Sequence, residues 1–70
     1  MKLTLKQKIL VEIIREYQKE KGYSPSIRDL CNITGKVPST IFARLMVLEE
    51  KGAISTESGV ARSIVVLIDD

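Results

Sequence analysis

Between Ser26 and Gly52 the sequence reads SIRDLCNITGKVPSTIFARLMVLEEKG, and this stretch constrains the fold more than any other. A short segment that Ser26 and Asp29 can cap is followed by Gly35, and then by a longer segment with apolar residues at helical spacing. Gly35 supplies the positive φ that a tight turn requires. Two helices joined in this way form a helix-turn-helix, which we place at about residues 27–46.

Apolar periodicity and capping residues predict three helices in all. Thr4 and Gln7 fit a capping box before the first helix, and Gly22 fits its left-handed end. Pro25 excludes the preceding residue from helical conformation, so a linker separates the first two helices. The predicted bounds are Leu5–Lys21, Ile27–Thr34, and Pro38 or Ser39 to about Lys51.

After Gly52 the apolar period changes from helical spacing to two. Residues 53–56 form a short strand candidate, residues 57–61 are turn residues, and residues 62–68 are rich in β-branched side chains. These segments predict a β-hairpin, or wing, at about residues 53–68. The expected fold is mainly α with a small β-hairpin, a three-helix winged helix-turn-helix that occupies residues 1–70 as one domain.

The same patterns predict which side chains form the core. The first helix carries a wide apolar stripe, and the third repeats apolar residues at i, i+4 and i+7. We expect ten apolar side chains to be buried: Leu5, Ile9, Ile13, Ile14, Leu30, Ile41, Leu45, Leu48, Ile54 and Ile64.

Charge is unevenly distributed, although the net charge is only +2. Residues 1–48 hold nine Lys/Arg and four Asp/Glu, a net +5, whereas residues 49–70 hold two and five, a net −3. The basic part can therefore face phosphate while the acidic end points away. An ordinary solvated surface explains the same distribution, so charge alone leaves both interpretations open.

Composition argues against several classes of protein. No apolar stretch is long enough to cross a membrane, and MKLTLKQKIL lacks the features of a signal peptide. Cys31 is the only cysteine and the chain has no His, so we expect neither an internal disulfide nor a metal site. We interpret Cys31 as a small apolar core residue of a cytoplasmic protein.

Catalytic chemistry is not indicated either. Without His there is no His-based triad or general base, and no Gly-rich phosphate loop follows a strand. Glu49 and Glu50 are adjacent on a helix and do not face a common point. Ser39 lies at a helix start, where capping explains it without a lysine base. We predict no enzymatic activity and no cofactor.

These residues together resemble the N-terminal DNA-binding domain of the LexA repressors of the bacterial SOS response. The matching motifs, in order, are LTLKQKIL, KGYSPSIRDL, STIFARLMVLEEKG and AISTESGVARSIVVL. The resemblance implies a transcriptional repressor that binds double-stranded DNA in a sequence-specific manner. It places a recognition helix, residues 39–51, in the major groove and the wing on the DNA backbone.

The resemblance does not extend to the second domain of that family, which carries a Ser/Lys dyad and a self-cleavage site. No such region follows in this sequence, so the resemblance does not imply autoproteolysis for this chain. We expect either an excised domain or a small free-standing relative.

The resemblance also implies which residues touch DNA. Base-reading positions fall on Ser39, Thr40, Phe42 and Ala43, and Arg44 suits a guanine edge or a phosphate. Phe42 stands where the family usually has a polar residue, and its ring can press on thymine methyl groups; the alternatives are a core Phe42 and a Ser39 that only caps the helix. The phosphate candidates are Arg28, Lys36, Arg62, Lys6 and Lys8.

A second function remains open at this point. Phe42, Met46 and Val47 are unusually apolar for an exposed helix face, which is typical of a winged helix that binds a protein, such as a repressor or a polymerase subunit. Under the DNA-binding hypothesis, a second copy of the chain can occupy the other half of a palindromic operator.

Overall fold

The computed structural model of the chain describes residues 3–57 and 59–68. Its elements are helix α1 (Leu5–Lys21), helix α2 (Ile27–Thr34), helix α3 (Pro38–Glu50), strand β1 (Ile54–Ser55) and strand β2 (Val65–Val66). The predicted three-helix fold with a terminal hairpin is confirmed. Ser58, in the predicted turn, lies outside the described residues. No helix among the described residues is long and apolar enough to cross a membrane.

The predicted ends of α1 and α2 are confirmed in detail. Thr4 and Gln7 form the capping box of α1, and Gly22 ends that helix with a φ of 83°. The N-cap of α2 is Ser26, whose side chain accepts a hydrogen bond from the backbone N–H of Asp29. Gly35 ends α2 with a φ of 74°, so the turn into α3 has the left-handed residue that it needs.

The core lies where the three helices meet the hairpin. Most of the predicted core residues are buried. The prediction is wrong for Leu5 and Ile9, which are 75% and 51% exposed, and Ile13 is only partly buried. Helix α1 instead turns the neighbouring ridge of Leu10, Val11 and Ile14 inward. A domain of this size covers only one side of each helix, so the ridge of Leu5 and Ile9 stays in solvent. The buried apolar residues are Leu10, Val11, Ile14, Leu30, Ile41, Leu45, Leu48, Ala53, Ile54 and Ile64.

The strands of the wing are shorter than predicted. They pair antiparallel over two residues each, with Ile54 opposite Val66. The expected strand at residues 62–68 begins only at Val65, because Arg62 adopts a left-handed turn conformation with a φ of 57°. The N–H of Ile64 donates to the hydroxyl of Ser24 at 3.1 Å and not to the opposite strand. The second strand is therefore attached to the linker between α1 and α2.

A polar network joins the same linker to the wing around one carboxylate oxygen. Oδ2 of Asp29 accepts hydrogen bonds from the N–H of Ser26 (3.0 Å) and the hydroxyl of Tyr17 (3.0 Å). It also pairs with Nη1 of Arg62 at 2.8 Å. The bond from the Ser26 N–H, with those from the side chains of Ser26 and Tyr17 and the charge of Arg62, lowers the pKa of Asp29 to about 2.

This pKa predicts how stability depends on pH. Because the folded-state pKa lies below the unfolded value of about 3.9, the ionised carboxylate stabilises the fold above about pH 4. That contribution is lost as the pH falls from about 4 towards 2. We expect the difference in melting temperature between the wild type and Asp29→Asn to shrink over this interval, as followed by circular dichroism. Glu16→Gln, which alters an exposed carboxylate of α1, is the control; an equally large difference at pH 2 and pH 6 would contradict this account.

Candidate nucleic-acid interface

Helix α3 turns one side into the core and the other to solvent. Ile41, Leu45 and Leu48 are buried, whereas Phe42 is 55% exposed and Met46 is 54% exposed. The alternative of a core Phe42 is therefore excluded. Of the other predicted base-reading residues, Ser39 and Ala43 are exposed, and Thr40 and Arg44 are partly exposed.

The start of α3 lacks a side-chain cap. Its N-cap residue is Val37, which makes no capping hydrogen bond through its side chain, and Pro38 follows as the first helical residue. The interpretation of Ser39 as the N-cap is wrong, because Ser39 follows the N-cap residue Val37 and the first helical residue Pro38. Pro38 has no N–H and the N–H groups of Thr40 and Ile41 donate to the carbonyl of Val37, so this start offers an anion the N–H of Ser39 and the positive end of the helix dipole.

Two of the predicted phosphate contacts, together with Arg44, line one groove beside α3. Lys6 from α1, Lys36 from the turn and Arg44 from α3 line this basic groove together. Its floor is apolar and includes Leu10, which belongs to the core. Three cations from three separate elements thus lie along one edge of the exposed face of α3, next to its uncapped start.

A second groove runs between α3 and the wing, and we call it the wing groove. Arg28 of α2, Phe42 and Met46 of α3, and Val60 and Arg62 of the wing all line it. Phe42 therefore shares this groove with two cations that come from different elements. Sequence reasoning missed Val60, which is 50% exposed and lines the wing groove; its position among turn residues carried no signal.

Two predicted phosphate contacts are placed differently from the rest. Lys8 lies in a separate groove on α1 with Leu5, Ile9, Glu12 and Glu16, away from the start of α3. Arg62 lines the wing groove but is already paired with Asp29. Its guanidinium also lies 4.8 Å from the centre of the Tyr23 ring.

The wing groove also holds two carboxylates, those of Glu49 and Glu57, but no metal-binding cluster was found on the described part of the chain. Within residues 3–57 and 59–68, no group of three or more His, Cys, Asp or Glu side chains is arranged to hold a metal ion. Cys31 is a free thiol, partly buried and packed against the core.

The fold and this surface define the class of protein: a winged helix-turn-helix domain that presents its third helix between two cation-lined grooves. Comparison with known protein families then identifies the family. Residues 1–63 match the model of the LexA DNA-binding domain, and the chain belongs to that family.

Curated relatives agree with this assignment. The chain is 42% identical to a LexA repressor of Caldicellulosiruptor saccharolyticus over 69 residues, which is 97% of this chain and 34% of that protein. It is 43% identical to a LexA repressor of Clostridium tetani over 63 residues, covering 89% of this chain and 32% of that protein. The chain thus spans about a third of the length of the relatives that it matches.

Because Ser26 caps α2 and Ser39 does not cap α3, replacing each serine should affect stability differently. Ser26→Ala removes a capping hydrogen bond and should cost about 1 kcal/mol of unfolding free energy, or roughly 4–8 °C in melting temperature. Ser39→Ala should change stability by less than about 0.5 kcal/mol, since Ser39 caps nothing. Thermal and urea unfolding of the two variants would measure this. Equal losses would show that Ser39 supports the helix after all.

Proposed function

We propose that this domain binds double-stranded DNA in a sequence-specific manner, with α3 in the major groove and the wing on the backbone. The observation that carries the proposal is the exposed face of α3 with cations along both edges. Helix-turn-helix proteins place the start of the second helix of the motif against base edges, and that start is exposed here. Binding, and not catalysis, is the activity that these residues can support.

Base reading is assigned to the first turns of α3. Ser39 and Thr40 can bond phosphate oxygens or base edges, and Phe42 and Ala43 offer apolar contact to thymine methyl groups. Arg44 lines the basic groove and can reach a guanine edge or a phosphate. This assignment is supported by the exposure of Phe42, which a role in the core would not allow.

Phosphate contacts are assigned to cations on both sides of α3. Lys6 and Lys36 approach from the basic groove, and Arg28 approaches from the wing groove. Lys8 lies among carboxylates on α1 and is the weaker candidate. Arg62 also remains a candidate, and the partners of its guanidinium distinguish it from the other cations.

As a biological role we propose transcriptional repression of the LexA type, within an SOS-like response of a bacterial cytoplasm. Two copies can occupy a palindromic operator whose half-sites lie about one DNA turn apart. The relatives named LexA repressor are about three times as long as this chain, so the role of the whole protein is inferred and the DNA-binding step is the part assigned to these residues.

The alternative, a winged helix that binds a protein partner through the apolar side of α3, is not favoured. Phe42 and Met46 are exposed as that hypothesis requires, but Arg28 and Arg62 line the same groove, beside Glu49 and Glu57. Membership of the LexA DNA-binding domain family also argues for DNA as the partner.

Binding should depend strongly on salt. If three to four phosphates are engaged, the logarithm of the association constant should fall with the logarithm of salt concentration with a slope of roughly −2.7 to −3.6, at about −0.9 per phosphate. Fluorescence anisotropy with a labelled duplex between low and moderate salt would measure it. An association constant that does not change over this range would rule out the proposed function.

Phe42 should contribute to specificity and little to stability. Phe42→Ala should change the unfolding free energy by less than about 0.5 kcal/mol. It should weaken binding to a selected operator by roughly 1–3 kcal/mol while leaving non-specific binding nearly unchanged. Leu67→Ala, which truncates an equally exposed residue of the wing outside both grooves, is the control. A large loss of melting temperature, or unchanged specific binding, would contradict the assignment of Phe42.

A further inference from the structure

Arg62 is surrounded by partners from its own chain. Its Nη1 pairs with Oδ2 of Asp29 at 2.8 Å and donates to the hydroxyl of Tyr17 and the carbonyl of Ser24, each at 3.2 Å. The guanidinium also stacks over Tyr23, whose ring makes an edge contact with Tyr17. Arg62 thus binds α1, the linker and the start of α2 at once.

The backbone of Arg62 is unusual in a way that fits this arrangement. Among the described residues it is the only one other than glycine with a positive φ, at 57°. This conformation is unfavourable for a residue with a Cβ, so the surrounding contacts must maintain it. The turn directs the side chain towards the linker.

The tip of the wing is a compact unit that Arg62 attaches to the helices. We define the wing tip as residues 57 and 59–63. Within it, the N–H of Glu57 donates to the hydroxyl of Ser63 at 2.9 Å, and that hydroxyl donates to the carbonyl of Val60, also at 2.9 Å. The two-residue strands are too short to orient the tip by themselves.

We propose that Arg62 is a positioning residue: its ion pair with Asp29 and its contact with Tyr23 hold the wing tip at a fixed place beside α3. Val60 then stays in the wing groove opposite Phe42, and the tip reaches the DNA backbone without first being ordered. Arg62 acts through the tip and is not itself a phosphate contact. This inference rests on the proposed function, since positioning matters only if the wing meets DNA.

The ion pair allows a test in which the two roles of Arg62 predict opposite signs. Asp29→Asn keeps an oxygen that can accept the capping bond of α2 but removes the charge that holds Arg62. If Arg62 is a positioning residue, binding should weaken although a negative charge has been removed. If Arg62 contacts phosphate, the same variant releases a cation and binding should become tighter.

The experiment measures binding of four proteins to one duplex, selected by the wild-type domain from random-sequence DNA. We expect Arg62→Gln and Asp29→Asn each to weaken binding about two- to fivefold, the range of a partly exposed ion pair with a cation–π contact. Their double variant should be no weaker than either one. The salt slopes of all three should equal that of the wild type.

Arg28→Gln is the matched control, because it removes the same charge from the same groove at a residue assigned to phosphate. Its salt slope should become shallower by about 0.9. The inference is overturned if Arg62→Gln shows that same change, if Asp29→Asn tightens binding, or if neither Arg62→Gln nor Asp29→Asn alters binding.

A measurement without DNA separates this inference from the proposed function. Hydrogen exchange of the Glu57 and Val60 amides reports order in the wing tip. We expect exchange to accelerate in Arg62→Gln and Asp29→Asn while melting of the whole domain remains cooperative. Unchanged exchange overturns the positioning role even if DNA binding is confirmed. A wild type that fails to bind any duplex refutes the proposed function, and the exchange result still decides whether Arg62 fixes the tip.

Discussion

The structure depends on a small core that reaches only one side of each helix. Leu30, Ile41 and Leu48 are each no more than 1% exposed, and α3 supplies two of these three side chains. A chain of this length cannot bury more, because small domains bury a smaller fraction of their surface. Turning Ile41 and Leu48 inward fixes the rotation of α3 about its axis. Phe42 and Ala43 are consequently directed to solvent, and the candidate interface follows from the packing of the core.

Local features of the fold were predictable because their signals lie within a few residues of one another. The capping boxes at Thr4 and Ser26 and the turn at Gly35 each depend on neighbours no more than four residues away. The buried side of α1 was not predictable in the same way. Its apolar residues form two overlapping ridges, and periodicity could not distinguish the ridge of Leu5 and Ile9 from the one that meets α2 and α3.

The candidate site likewise has one part that was predictable from the sequence and one part that was not. Exposure of Phe42 was predictable, since the core stripe of α3 leaves that position outside it. The pairing of Arg62 with Asp29 was not, because it joins the wing to the first turn of α2, and no sequence spacing relates two such distant segments. Sequence reasoning explained Asp29 by its cap and Arg62 by its charge. Each explanation was locally sufficient, which concealed that one oxygen of Asp29 serves both the cap and the wing.

The separation of the core from the exposed face of α3 has a consequence for how such domains diversify. Ser39, Phe42 and Ala43 contribute side chains to solvent and little to the buried cluster. Under the proposed function, substitutions there are constrained by the DNA target and hardly by folding, since surface changes seldom alter stability. A lineage can therefore exchange one operator preference for another through a few changes on this face while the scaffold stays the same.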